Sequence, residues 1–262
     1  MSVLIYGFHS INSYIKPKNN SNKDIKQDNS SASFNSIEIV YFDDNRQDIR
    51  QQQLLNQVRE LGIPVSMVTT EELNKLTKVK THQGVAAKVK RVDLGAYTLK
   101  DVLLQIQDKD NARVLILDGI TDPHNLGAII RSCDCFGIDA VILPKNNSAN
   151  VDSPIVVKTS SGAVNNIPII TVNNLSRAME DLKDNGFWIA GTGLGEGCIN
   201  LFEFKFSGKL AWVMGSEGSG MRRLVREHCD YLVTIPMLGN TQSLNVSVAA
   251  GIVLAHTAVY SS

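Results

Sequence analysis

The sequence predicts an α/β protein of two domains, the larger one a parallel sheet covered by helices on both faces. Three observations predict it. The chain has 262 residues, more than one small core usually needs. Residues 110–262 alternate short β-branched runs with amphipathic helical segments, the pattern of a buried parallel sheet. Residues 1–90 mix shorter elements, and 91–109 are polar and weakly periodic, as a linker carrying one helix would be.

In the first zone an apolar segment, Val3 to Phe8, precedes the polar stretch at 16–36, rich in Asn, Ser and Lys. That composition cannot bury apolar surface and reads as a mobile loop. Strand patterns follow at Ile37–Phe42, Pro64–Val68 and Gly84–Val89, with helical patterns at Asp48–Leu61 and Glu71–Leu76. In the third zone the strands are Val114–Leu117, Ala140–Leu143, Ile169–Val172, Trp188–Ala190, Leu210–Met214 and Leu232–Ile235. Intervening helices are expected over 125–136, 175–184, 220–228 and 243–259.

Charge is balanced, with 26 Lys+Arg against 26 Asp+Glu, which is not the basic footprint of a protein that holds nucleic acid by charge alone. Four cysteines in a chain this long do not make a disulfide framework. Cys133 and Cys135 face different sides of one helix and read as small thiols rather than metal ligands. No apolar stretch reaches membrane-spanning length and no leader pattern opens the chain, so the expectation is a cytoplasmic protein.

Ligands of such sheets gather at the carboxyl ends of strands, and three loops there carry chemistry. The first, LDGITDPHNLGAIIR (117–131), leads through turn and cap residues into a helix beginning near Asn125, with Arg131 six residues on. The second, WVMGSEGSGMRR (212–223), runs a buried strand into Gly215, Gly218 and Gly220, which permit close backbone approach to a ligand. Glu217 there caps the next helix or faces a site. Arg222, Arg223 and Arg226 open that helix against its dipole, a cost that an RNA-facing patch would explain. The third, VTIPMLGNTQSLNVSVAAGIVLAH (233–256), has Ser243 as a natural N-cap, with Asn245 and Ser247 early in an otherwise apolar helix. A further cluster, GTGLGEG (191–197), imitates a dinucleotide fingerprint but breaks its spacing and precedes no helix, which argues against a nicotinamide site.

At the three loops the sequence resembles the SpoU/TrmH family of RNA ribose methyltransferases. The family pattern N-x-G-x-x-x-R stands at Asn125, Gly127 and Arg131, G-x-E-x-x-G at Gly215, Glu217 and Gly220, and I-P-M with S-L-N-V-S-V-A at Ile235–Met237 and Ser243–Ala249. The opening IYGFH and HQGVAAKV (82–89) resemble the N-terminal RNA-binding domain of the family's rRNA branch.

The resemblance implies a C-terminal trefoil-knotted α/β methyltransferase domain and a small N-terminal α/β domain of ribosomal-protein type. It implies S-adenosylmethionine as cofactor, no metal, and a homodimer in which Arg131 reaches the partner's cofactor. Arg131, Asn125, Glu217, Ser243 and Asn245 match catalytic or site-building positions, and Gly215, Ile235, Leu244 and Ser247 fall with the cofactor. The expected reaction is 2′-O-methylation of a guanosine ribose in 23S rRNA. A tRNA guanosine, another rRNA loop, or RNA binding without catalysis stay open. One departure stands at Asn165, where relatives commonly have Glu after S-G-A.

Overall fold

A computed structural model describes residues 2–15, 37–46, 48–90, 97–195, 197–241 and 243–259. The polar stretch at 16–36 and the first part of the expected linker lie outside them. The chain divides into two compact units, Met1–Asp93 and Leu94–Ser262.

In the first unit, β1 (Ser2–Tyr6), α1 (Phe8–Ile15), β2 (Ile37–Asp43), α2 (Ile49–Glu60), β3 (Val65–Val68), α3 (Thr70–Thr77) and β4 (Val85–Lys90) follow in order. The sheet order is β1-β4-β2-β3, with β4 antiparallel to both neighbours and β3 parallel to β2. The opening apolar segment is not one element. Gly7 at φ +90° turns the chain from β1 into α1, a helix the sequence reading did not separate. Asp48 caps α2 by accepting from the Gln51 N–H, and Thr69 with Glu72 forms a capping box on α3.

His82 is buried in this unit. The Gly84 N–H donates to its Nδ1 (3.0 Å), so Nε2 carries the proton and donates to Asn74 Oδ1 (3.0 Å). Burial holds this imidazole below its ordinary value; nearby Asp43 opposes the shift and Arg46 adds to it. The neutral ring therefore stabilises the fold fully above about pH 6.5, and that contribution is lost as pH falls through its lower folded value. Denaturant unfolding of the protein should show stability declining below about pH 6.5, and His82→Gln should flatten that part of the profile. An unaltered slope in the variant would assign the decline to another group.

The second unit begins with α4 (Leu99–Ile106), β5 (Arg113–Asp118), α5 (Pro123–Cys135), β6 (Ala140–Pro144), α6 (Pro154–Thr159), β7 (Ile169–Val172) and α7 (Leu175–Asp184). It continues with β8 (Trp188–Thr192), β9 (Ile199–Asn200), β10 (Leu210–Gly215), α8 (Arg223–Glu227), β11 (Tyr231–Thr234) and α9 (Val246–Val259). The sheet order is β7-β6-β5-β10-β8-β11-β9, and every pair is parallel.

Alternate residues of the central strands enter two separate cores. Leu115, Leu117, Trp212 and Met214 pack with α5 and α9. Val114, Ile116, Ala211 and Val213 pack with α4 and α7 on the other face. Full burial of such side chains stabilises by about 1.5–3 kcal/mol each. The one helix expected within 91–109 is α4, and its Val102, Leu103 and Ile106 join the core, so this part belongs to the second unit. Trp212 is completely buried and its indole N–H donates to Thr257 Oγ1 (2.9 Å), fixing α9 to the sheet.

Three expectations need correction. The helix placed at 125–136 starts at Pro123 with Asp122 as its cap, so Asn125 lies inside the first turn. The helix placed at 220–228 shrinks to Arg223–Glu227 because Gly220, at φ +67°, still belongs to the loop. The helix placed at 243–259 begins at Val246, leaving Ser243 in the loop. Among the described residues no helix is long and apolar enough to cross a membrane.

Candidate active site

The carboxyl ends of β8, β10 and β11 open on one cleft of about 470 Å³. This falls within the roughly 300–1,000 Å³ of small-molecule sites. Its wall is mainly apolar, from Met214, Met221, Val233, Ile235, Leu244 and Val246.

The loop after β10 closes on itself. Ser216 and Gly220 exchange two backbone hydrogen bonds (3.1 and 3.0 Å), and the Ser216 and Ser219 hydroxyls are 2.6 Å apart. A Cβ on Gly215 would lie 2.2 Å from the Gly220 carbonyl carbon, so only glycine permits the fold-back. Glu217 is exposed at the tip of this loop on the cleft wall and does not cap α8.

The cap position of α8 is Arg222. Its N–H and its Nε–H donate to the two carboxylate oxygens of Asp118 (2.8 and 2.7 Å). A carboxylate thus sits at the start of α8 and offsets the arginine charges there, a compensation within the fold that needs no RNA-facing patch to explain it. Arg223 pairs with Glu227 (2.9 Å).

The third loop is joined to the first. Asn245 Oδ1 accepts from the N–H (2.9 Å) and hydroxyl (2.6 Å) of Ser247, which makes Asn245 the cap of α9. That fixes its amide orientation, and its Nδ2 donates to Asn125 Oδ1 (3.0 Å). About two turns further on, a Cβ on Gly251 would lie 3.8 Å from Ser132 Oγ, so α5 and α9 run side by side in the same direction.

The predicted residues therefore separate into groups. Gly215, Glu217, Ile235, Ser243 and Leu244 line the cleft together. Asn125, Asn245 and Ser247 form a hydrogen-bonded chain beside it, and Ser247 is not on the cleft wall. Arg131 is exposed on α5, off that wall, with no side-chain partner among the described residues. Gly127 serves packing, since a Cβ there would come within 2.7 Å of Thr159 on α6. Asn165 closes its own turn through Nδ2 to the Gly162 carbonyl (3.1 Å).

Thr192, Gly193 and Leu194 also line the cleft and were missed, and so does Arg226, which the sequence pointed to only as part of an RNA-facing patch. The first three belong to the glycine cluster set aside as a failed fingerprint; their signal was position, directly after a strand of the parallel sheet. Among the described residues no group of His, Cys, Asp and Glu is placed to hold a metal ion. Burial pushes the Cys229 thiol up to about 12, and the nearby Asp230 charge adds to the shift.

Comparison with known proteins gives this geometry its context. The model of the SpoU rRNA Methylase family matches residues 112–255. The chain belongs to the SpoU family. A second model, for RNA 2′-O ribose methyltransferase substrate binding, matches residues 30–94. The chain is 43% identical to 23S rRNA (guanosine-2′-O-)-methyltransferase RlmB of Haemophilus influenzae, across 97% of this chain and 96% of that protein. It is 39% identical to the protein of the same name from Escherichia coli, across 97% of each. Among solved SpoU-type structures, AviRb from Streptomyces viridochromogenes in complex with AdoMet superposes with a TM-score of 0.70 at 22% identity, covering 98% of this chain and 90% of AviRb. A structure described as an RNA 2′-O ribose methyltransferase gives 0.75 at 23% identity, covering 98% and 88%. Two of the three SpoU motifs of this chain, those at 215–220 and 235–249, line the cleft, and the first is tied to it through the Asn125–Asn245 hydrogen bond.

Gly215→Ala should disturb the loop fold-back, costing about 1–3 kcal/mol as overpacking does. Thermal unfolding checks this. A midpoint equal to that of the unaltered protein would show that the loop has room to open.

Proposed function

We propose that this chain transfers a methyl group from S-adenosylmethionine to the ribose 2′-hydroxyl of a guanosine in 23S rRNA. The observation that carries the reading is the cleft, built from family motifs in a chain 43% identical over nearly its whole length to an rRNA guanosine methyltransferase. The substrate-binding match in the first unit supports RNA as the acceptor. An rRNA acceptor implies a cytoplasmic site of action.

The cleft suits the cofactor. Its apolar wall can take a flat adenine, and the Gly215 turn lets a ligand approach the main chain closely. The cofactor supplies an electrophilic methyl group on a positively charged sulfur. Gly215, Ile235 and Leu244 hold the adenosine end through main chain and apolar contact. Glu217 and Ser243 present polar groups where an incoming nucleotide meets it. Asn245, held by Ser247, positions Asn125, whose own Nδ2 is left free to donate to RNA.

Arg131 binds the phosphate beside the reacting ribose and stabilises the charge that grows on the 2′-oxygen. A guanidinium with a pKa above about 12 stays protonated, so it serves as a stabiliser rather than as the base. Single-turnover methylation of an rRNA fragment, with the product ribose mapped, tests the reading. The label should fall on a guanosine 2′-oxygen of 23S rRNA. Arg131→Ala should cut the rate about 100-fold or more while cofactor affinity holds, the usual scale for losing one preorganised charge. Labelling of tRNA alone would move the substrate assignment, and a near-normal variant rate would remove Arg131 from the chemistry.

The active form on this reading is a homodimer. Helix α9 is almost wholly apolar, yet Val248 is 49% exposed on it, as on a face that a partner would cover. Arg131 stands free on neighbouring α5. A second copy covering α9 would bring Arg131 to the partner's cleft. Verified heterodimers of an Arg131→Ala chain and a Gly215→Ala chain should then recover activity through one mixed site. No recovery would confine the site to a single chain.

A further inference from the structure

We propose that Arg226 binds the carboxylate at the methionine end of the cofactor, an assignment that rests on the cofactor reading above. Residues 221–228 carry three arginines. Arg222 is engaged by Asp118 and Arg223 by Glu227. The Arg226 guanidinium has no hydrogen bond or ion pair among the described residues. It lines the cleft, where it is the single cation among the described lining residues and Glu217 the single anion.

Its placement is specific. A Cβ on Gly193 would lie 3.3 Å from Arg226 Nη1, so the bare glycine leaves the space that the guanidinium occupies. Helix α8 is braced at both ends, by Asp118 at Arg222 and by His228, whose ring meets Glu180 (3.2 Å) and the Leu224 carbonyl (2.8 Å). A cation held on a braced turn loses little freedom when a ligand arrives. The cofactor carries a sulfonium, an ammonium and a carboxylate, and only the last is an anion. A planar guanidinium fork matches that group in shape and charge.

Calorimetry with two probes tests the assignment: S-adenosylhomocysteine and its decarboxylated analogue, which keeps the amine, the sulfur and the adenosine. Arg226→Gln should weaken S-adenosylhomocysteine about tenfold or more, the scale of a charge-assisted hydrogen bond, and leave the analogue nearly unchanged. Arg226→Lys should recover part of the loss. Equal weakening of both probes would show that Arg226 supports the shape of the cleft and would overturn the proposal. So would an unchanged affinity for S-adenosylhomocysteine accompanied by weaker RNA binding. If the unaltered protein bound neither probe, the cofactor reading itself would fail, whatever Arg226 does.

Discussion

Asp118 ends β5 with its side chain wholly shielded from water, where an unpaired carboxylate would be costly. Arg222 satisfies both oxygens, one through main chain and one through side chain. The same Asp118 is the register partner of Gly215 across β5 and β10. Both ends of the glycine-rich loop are thereby attached to one residue, and the loop has no slack. The fold-back on Gly215, the exposed position of Glu217 and the presentation of Arg226 from α8 all follow from that attachment. Removing the carboxylate would leave the arginine without its partner and free the loop to open into the cleft.

The parallel sheet sets the scale on which this works. Strands covered on both faces leave only their ends available to a ligand. With β8 flanked by β10 and β11, three neighbouring carboxyl ends meet, and the returning α9 closes the remaining side. The asparagine pair 125–245 then ties the last helix to the first motif, so the loops are spaced by packed helices rather than by their own stiffness.

Most of the larger unit was legible because its strands are uninterrupted apolar runs and its helices amphipathic. Helix α6 was not: its six residues are too few for a helical period and its Ile155, Val156 and Val157 are β-branched, so only the Ser153–Pro154 start betrays a helix. Helix α8 was drawn too long because the dihedrals of Gly220 are invisible to a hydrophobic pattern. The motif residues on the cleft were found by spacing and family pattern. The facing of Arg226 depends on how Asp118 sets the start of α8, a long-range pairing that no local window contains. Thr192 to Leu194 were passed over for lacking a helix behind them, although the strand end before them was sufficient reason to look.

Strands β5 and β10 lie at the centre of the sheet, yet their paired residues are about a hundred positions apart along the chain. Contacts of such high sequence separation form slowly, because a long loop must close before any pairing rewards it. One wall of the cleft comes from Ser243 to Ala249, near the end of the residues described. During synthesis, therefore, β5, β6 and β7 can assemble with α5 and α7 well before β10 is available to them. The binding site is completed only when α9 has been made and packed. A half-made chain on the ribosome therefore has an unfinished cleft, whose last wall arrives only with α9.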